Sequence, residues 1–293
     1  MKISDLCAQF KLEYFGSDVD INGLNLIGRA SSKDAILTYA TSGKYKKRVA
    51  TDISVKALLV DAKTKEEYLE VLLMRDGCVI ISDNPEQVFY EIHDYLIRLD
   101  NFYKPVVLER KISSTAIIHP TAVIEDYVII EDDVKIGAFS FIRAGTIIRR
   151  GSTIGNHTTI GAEGCQVLRI DGIPTKIKHC GGVLIEEGVS IGDHCSVCNT
   201  LFDGFTRVGA YSQIDNFCHI AHYVNIGKRV IMTPGITLVG SVTIEDDCYI
   251  GAGATIMNKA IIHTGATVGI GSVVMQNVKA GTTVFGNPAK QIF

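Results

Sequence analysis

The chain has 293 residues, enough for one large core or two smaller ones, and its 46% hydrophobic content is that of a globular protein. A formal charge of −3, with acids and bases interspersed, excludes a nucleic-acid footprint and a polybasic membrane patch. No apolar run approaches the roughly 20 residues of a membrane helix, and Met1-Lys2-Ile3-Ser4-Asp5 opens no signal peptide, so a cytoplasmic protein is expected.

Residues 1–100 read as a small α/β domain. Ser4 to Phe10 suits a short capped helix. Ala57-Leu58-Leu59-Val60 and Cys78-Val79-Ile80-Ile81 are apolar runs bounded by polar residues, which predicts buried strands. Pro85 to Arg98 predicts a helix, with Val88, Phe89, Ile92, Tyr95 and Leu96 at three-to-four spacing. Tyr39 and Tyr45 suit either a small core or a platform for a flat ring, and composition leaves both open. A linker over 101–114 leads to a second domain, 115–293.

That second domain is defined by a period of six. Ile118, Ile124, Ile130, Ile136, Ile142, Ile148, Ile154 and Ile160 recur in phase. A small or β-branched residue follows each by four: Ala122, Val128, Val134, Ser140, Thr146, Ser152, Thr158, Gly164. The series returns at Ile185, Ile191 and Val197, slips by one near Asp203, and runs on from Val208 to Val274. A helix repeats every 3.6 residues and a simple strand every two, and neither gives a sustained six. Six residues fit a short flat strand plus a turn, with three such units closing a triangular coil. One coil cannot bury its own apolar face, so coils stack as in any solenoid. The predicted fold is mainly β, a left-handed parallel β-helix of hexapeptide repeats behind the small α/β domain.

Residues 165–182 interrupt the count and read as a loop leaving the prism, either a passive excursion or part of a binding face. The eight cysteines are scattered. Cys195 and Cys198 form a CxxC inside the repeat with no second ligand pair, which favours small-residue packing and reduced thiols. Most histidines sit singly at turns, among them His157, His194 and His263. The exception is Asp215-Asn216-Phe217-Cys218-His219-Ile220-Ala221-His222. Asp215 and His222 fall on nearby turns of one coil, with His219 between. An imidazole near a carboxylate can hold a general base, or both can be surface turn residues. His219 and His222 share one short face with no evident third ligand, so no metal is expected.

The order of these features, with Gly161-Ala162-Glu163-Gly164, Ile214-Asp215-Asn216 and Ile220-Ala221-His222, resembles the UDP-3-O-acylglucosamine N-acyltransferases of lipid A synthesis over nearly the whole chain. The resemblance implies that His222 is the general base, oriented by Asp215, with Asn216 placing substrate or donor. It implies that the Gly240 N–H stabilises a tetrahedral oxyanion. It implies that Tyr39 and Tyr45 hold a pyrimidine. The chain departs from the family at Ser42, where the family has asparagine, at His219, where it has glutamine, and at Lys259, where it has histidine. The family continues into a C-terminal helical segment, whereas this sequence ends at Phe293. Its Gly286-Asn287-Pro288-Ala289-Lys290 is similar to the end of acetyl-CoA-dependent hexapeptide transferases.

These features point to an N-acyltransferase moving a short acyl group, acetyl by expectation, from acyl-CoA to the amine of a nucleotide-linked sugar. The substrate side comprises Tyr39, Ser42, Tyr45, Asn216 and His219. The donor side comprises Gly240, Lys259, Asn287, Pro288 and Lys290. Acyl-CoA serves as co-substrate, with no resident cofactor. Two alternatives stand: a lipid A enzyme using acyl carrier protein, and a non-catalytic sugar-binding solenoid. A flat prism face is too shallow for a ligand, so a homotrimer with sites between prisms is expected.

Overall fold

The computed structural model describes residues 1–29, 33–99, 102–103, 107, 109–170 and 172–292. Asn101, Lys104, Pro105, Val106 and Leu108 of the expected linker, Asp171 of the excursion, and Phe293 lie outside the described residues. The chain divides into two compact units, one comprising Met1–Lys104 with Cys165–Lys178 and the other Pro105–Gly164 with His179–Phe293. Among the described residues, no helix is long and apolar enough to cross a membrane.

The first unit is a five-stranded sheet flanked by helices. Its strands are β1 (Glu13–Gly16), β2 (Gly23–Leu24), β3 (Ile36–Tyr39), β4 (Val55–Val60) and β5 (Cys78–Ile81), in the order β1-β5-β4-β3-β2. β1 is antiparallel to β5 and the other pairs are parallel. The helices are α1 (Ile3–Phe10), α2 (Lys46–Thr51), α3 (Lys65–Leu73) and α4 (Pro85–Ile97). The two expected strands and the α4 helix are present. α4 begins with a side-chain cap from Asn84 and proline in its first turn. The short helix expected over Ser4 to Phe10 is present as Ile3–Phe10, with Lys2 at its N-cap and no side-chain cap there; Asp18 accepts from the Ser4 N–H at 2.9 Å and its hydroxyl at 3.0 Å. A carboxylate distant in sequence satisfies a first-turn amide of the helix.

The expected 165–182 loop is also corrected. Gln166–Ile170 and Ile173–Ile177 pair as an antiparallel hairpin, and Gly182–Ile185 is already a strand of the prism. The hairpin belongs to the first unit. Buried His93 of α4 ties them: Nδ1 lies 2.8 Å from the Tyr103 hydroxyl and Nε2 2.9 Å from the Lys178 carbonyl oxygen.

The second unit is the left-handed β-helix. Two-residue strands stack into one ten-stranded and two eight-stranded sheets among the described residues. Strands one coil apart pair in parallel register, as in Gln213↔Ile231 and Ile214↔Met232. The first coil starts at Lys111–Ile112, inside the stretch expected as linker. The inward aliphatics form one continuous core from Val128 to Val284. Each fully buried Ile contributes roughly 1.5–3 kcal/mol of apolar transfer. The small polar residues beside them serve the corners: Ser140, Ser152, Thr158 and Ser212 donate to the carbonyls of Gly155, Glu186, Gly192 and Gly227 at 2.6–2.8 Å. Many corners place one residue in the left-handed region, glycine at some and bulky side chains at others, such as Phe217 at φ 60° and Tyr223 at φ 58°.

Candidate active site

The prism offers many similar corners, and at one of them an imidazole fills the space left by a glycine. At several corners the outward amide of the second residue past the inward aliphatic is capped by a side chain. Asn156 caps Ala138 at 2.8 Å, Glu125 caps Ala144 at 2.8 Å, and Asp246 caps Lys228 at 2.8 Å. At Gly240 the amide has no acceptor among the described residues. Directly one coil before it stands His222, whose carbonyl accepts the Ser241 N–H at 2.9 Å. A Cβ at Gly240 would lie 2.7 Å from His222 Cε1 and 2.8 Å from Nε2. The absence of a side chain is what lets the imidazole lie against Gly240. A base beside an unclaimed donor is the arrangement needed where a proton leaves and an oxyanion forms.

His222 is held at that corner by its neighbours. Its ring meets Tyr223 at 6.0 Å and His179 at 5.4 Å between centroids, both edge-to-face. Tyr223 is fixed at both ends. Its N–H donates to Thr206 Oγ1 at 3.0 Å, and its hydroxyl accepts the Phe202 N–H at 2.9 Å. The residues around Asp203, where the hexad count slips, therefore brace the His222 corner. Neither His179 nor this brace was legible from the period. His179 sits outside the count, just past the hairpin, and its only sequence signal is an imidazole at the point where the chain rejoins the prism.

The other expected residues are distributed as follows. Asp215 and His222 stand at successive corners, because the strand His219–Ile220 lies between them in a different sheet from Gln213–Ile214. At about 3.3 Å per residue the separation is roughly 15–20 Å, so the expected pairing within one coil is corrected: one chain does not bring this carboxylate to this ring. Asp215 Oδ1 accepts the Asn216 N–H at 2.7 Å. Asn216 Oδ1 in turn accepts the Asp193 N–H at 2.6 Å, a corner cap. His219 projects outward from its strand, and partial burial lowers its pKa. Lys259 is exposed, with its N–H on the Gly240 carbonyl at 3.2 Å. Asn287, Pro288 and Lys290 are exposed at the end of the ten-stranded sheet, coils beyond His222. His157 and His194, expected as solvated turn residues, stack between Phe139 and Phe217 at 5.0–5.2 Å.

In the first unit, Tyr39 donates its hydroxyl to Glu86 Oε1 at 2.7 Å and packs on Phe89 at 5.0 Å. Burial, then the neighbouring Tyr90 and Glu86, push its phenol pKa upward. Tyr45 is half-buried against the core with Lys44 Nζ 4.9 Å over its ring. Ser42 Oγ is buried with no hydrogen-bond partner among the described residues, while the Ser42 carbonyl accepts from Tyr68 at 2.6 Å.

Two family models match, the bacterial transferase hexapeptide over residues 127–162 and the hexapeptide repeat of succinyl-transferase over 241–279. A UDP-3-O-acylglucosamine N-acyltransferase from Maricaulis maris is 35% identical over 130 residues, 44% of this chain and 38% of the relative. A GDP-perosamine N-acetyltransferase from Escherichia coli is 35% identical over 129 residues, 41% of this chain and 56% of the relative. Among solved structures, the UDP-N-acetylglucosamine acyltransferase from Campylobacter jejuni matches at 26% identity and TM-score 0.46, over 60% of this chain and 73% of that one. The chain spans between a third and two-fifths of the length of the first curated relatives it matches. The chain is a left-handed β-helix protein of hexapeptide repeats, similar in sequence to the UDP-3-O-acylglucosamine N-acyltransferases.

Proposed function

We propose that the chain is an N-acyltransferase acting on the amine of a nucleotide-linked sugar. The observation that carries this is the His222 imidazole packed into the space left by Gly240, whose N–H has no acceptor among the described residues. His222 takes a proton from the amine as its nitrogen attacks the thioester carbonyl carbon. The Gly240 N–H receives the developing oxyanion, an interaction worth roughly 3–4 kcal/mol for a strong donor. Collapse breaks the C–S bond, and the imidazolium returns its proton to the departing thiolate. Within the first unit, Tyr39, Ser42 and Tyr45 are the candidate nucleotide-binding residues, and the Ser42 hydroxyl between them in sequence is buried.

The donor is acyl-CoA with a short acyl group, acetyl first. This is supported by Gly286-Asn287-Pro288-Ala289-Lys290 and by the similarity to an N-acetyltransferase. The second reading is a longer acyl group carried by acyl carrier protein. It is favoured by the run of UDP-3-O-acylglucosamine N-acyltransferases among the relatives. It is also favoured by exposed Val239, Met257 and Met275, stacked one coil apart beyond His222.

The site is completed by a three-fold assembly, in which Asp215 of one chain meets His222 of a neighbour across the groove between prisms. A donor panel of acetyl-CoA, longer acyl-CoAs and acyl carrier protein against UDP-, dTDP- and GDP-linked amino sugars tests the reaction. Turnover with acyl carrier protein and none with any CoA reverses the donor choice. Replacing His222 with Ala lowers kcat by roughly 10²–10⁴ with folding intact. Full activity in that variant removes the base assignment. Co-assembly of inactive His222→Ala and Asp215→Ala chains restores part of the activity if the two residues meet between chains. A fully active monomer in light scattering refutes the shared site.

A further inference from the structure

We infer that His179 is a positioning residue for His222, and that the two imidazoles titrate as one pair. This rests on the acyl-transfer reading above. His179 is 6% exposed, and its ring meets that of His222 at 5.4 Å with planes at 81°. Its own orientation is fixed independently. Nδ1 lies 3.2 Å from the Asn199 carbonyl oxygen, which can only accept, so Nδ1 carries the proton in the neutral ring. Its backbone N–H donates to Glu163 Oε1 at 3.4 Å. Each ring occupies the space a glycine leaves. A Cβ at Gly164 would overlap His179 as one at Gly240 would crowd His222. Two glycines far apart in sequence thus make a seat for two adjoining imidazoles, and the anchored His179 ring sets the plane of the half-exposed His222 ring.

Two imidazoles in contact cannot both take a proton without like-charge repulsion, so the pair gains its protons in two separated steps. Titratable groups beside the pair include Glu163, whose carboxylate accepts the His179 N–H, Cys180, its chain neighbour, and Tyr223, whose ring meets that of His222. Cys180 donates its thiol to the Leu201 carbonyl at 3.3 Å. The ordinary pKa values of these three residue types lie outside the range of about pH 5–8. A splitting in that range therefore belongs to the histidines.

The test is reciprocal. Histidine Cε1–H resonances are followed by NMR against pH in the full chain, in His179→Gln and in His222→Gln. The wild type is expected to show two steps separated by about one pH unit or more. Each variant is expected to collapse the surviving histidine to a single step. In His179→Gln, kcat for acyl transfer falls about tenfold while KM for the acceptor stays within about twofold, because the base is misoriented rather than removed. If His179→Gln does not fold, His222→Gln, at the half-exposed corner, still reports the coupling from the other side. Superimposable single-step curves in wild type and variant overturn the inference. Transfer activity with no coupling sinks the pair alone. Coupling with no transfer on any donor sinks the acyltransferase reading and leaves the pair as a structural fact.

Discussion

Gly240→Ala is the sharpest probe of the site, because the whole perturbation is one methyl group. Its Cβ would stand 2.7 Å from His222 Cε1 and 2.8 Å from Nε2. Carbon contacts normally settle at about 3.5–4.0 Å, so the imidazole must retreat by about 1 Å. Misplacing a catalytic group by that much costs on the order of 10² in rate, or about 2.7 kcal/mol of barrier. The effect on folding is smaller. His222 is half-exposed and can swing outward, so the cost sits near the lower end of the roughly 1–3 kcal/mol for overpacking. Steady-state kinetics with the preferred donor, thermal unfolding and the His222 Cε1–H chemical shift are measured together. The expected result is a hundredfold loss in kcat, a changed His222 resonance and a transition lowered by a few degrees. A kcat within twofold of wild type refutes the reasoning. A rate loss accompanied by collapse of the thermal transition would place the effect in folding instead.

Ile250→Ala, in the prism core at 0% exposure, is expected to cost about 2–5 kcal/mol, read as a lower midpoint in urea. Little change would contradict a continuous close-packed core. Tyr39→Phe removes the bond to Glu86 and lowers the stability of the first unit by about 1 kcal/mol, whereas Tyr45→Ala raises KM for the nucleotide sugar about tenfold through lost stacking. Unchanged KM in Tyr45→Ala moves the nucleotide elsewhere. Alkaline pH is expected to destabilise the first unit. Burial, then Asp18, push the Cys7 thiol up to about 11; burial, then Cys7, push Cys78 up to about 12; and burial, then Glu67, push Tyr68 up to about 12. The unfolded chain loses these protons near 9 and 10, so their stabilisation is complete below about pH 8 and is lost as pH rises through the folded values. The thermal midpoint should fall across that window, and less steeply in Cys78→Ala. A flat profile would show that these groups are solvated in the folded state.

The six-residue period alone was enough to specify the prism. An inward aliphatic every six residues is a local pattern repeated many times, and stacking is the only way each coil can bury it. The same logic made β4, β5 and α4 legible, since each is a run whose period or length belongs to one element. Single residues were legible in type but not in partner. His222 and Gly240 could be named from their segments, yet the phase did not show that the His222 ring fills the space the glycine leaves. The excursion broke the phase, so the sequence could not show that it folds as a hairpin of the first unit or that it returns with His179 beside His222. It also placed Asp215 near His222 by counting along the chain, where the sheets put a full prism edge between them. Periodicity records which way a side chain points relative to its own strand. Which side chains meet across coils depends on where an insertion rejoins the stack and on which corners lack a Cβ, and only the tertiary structure decides that.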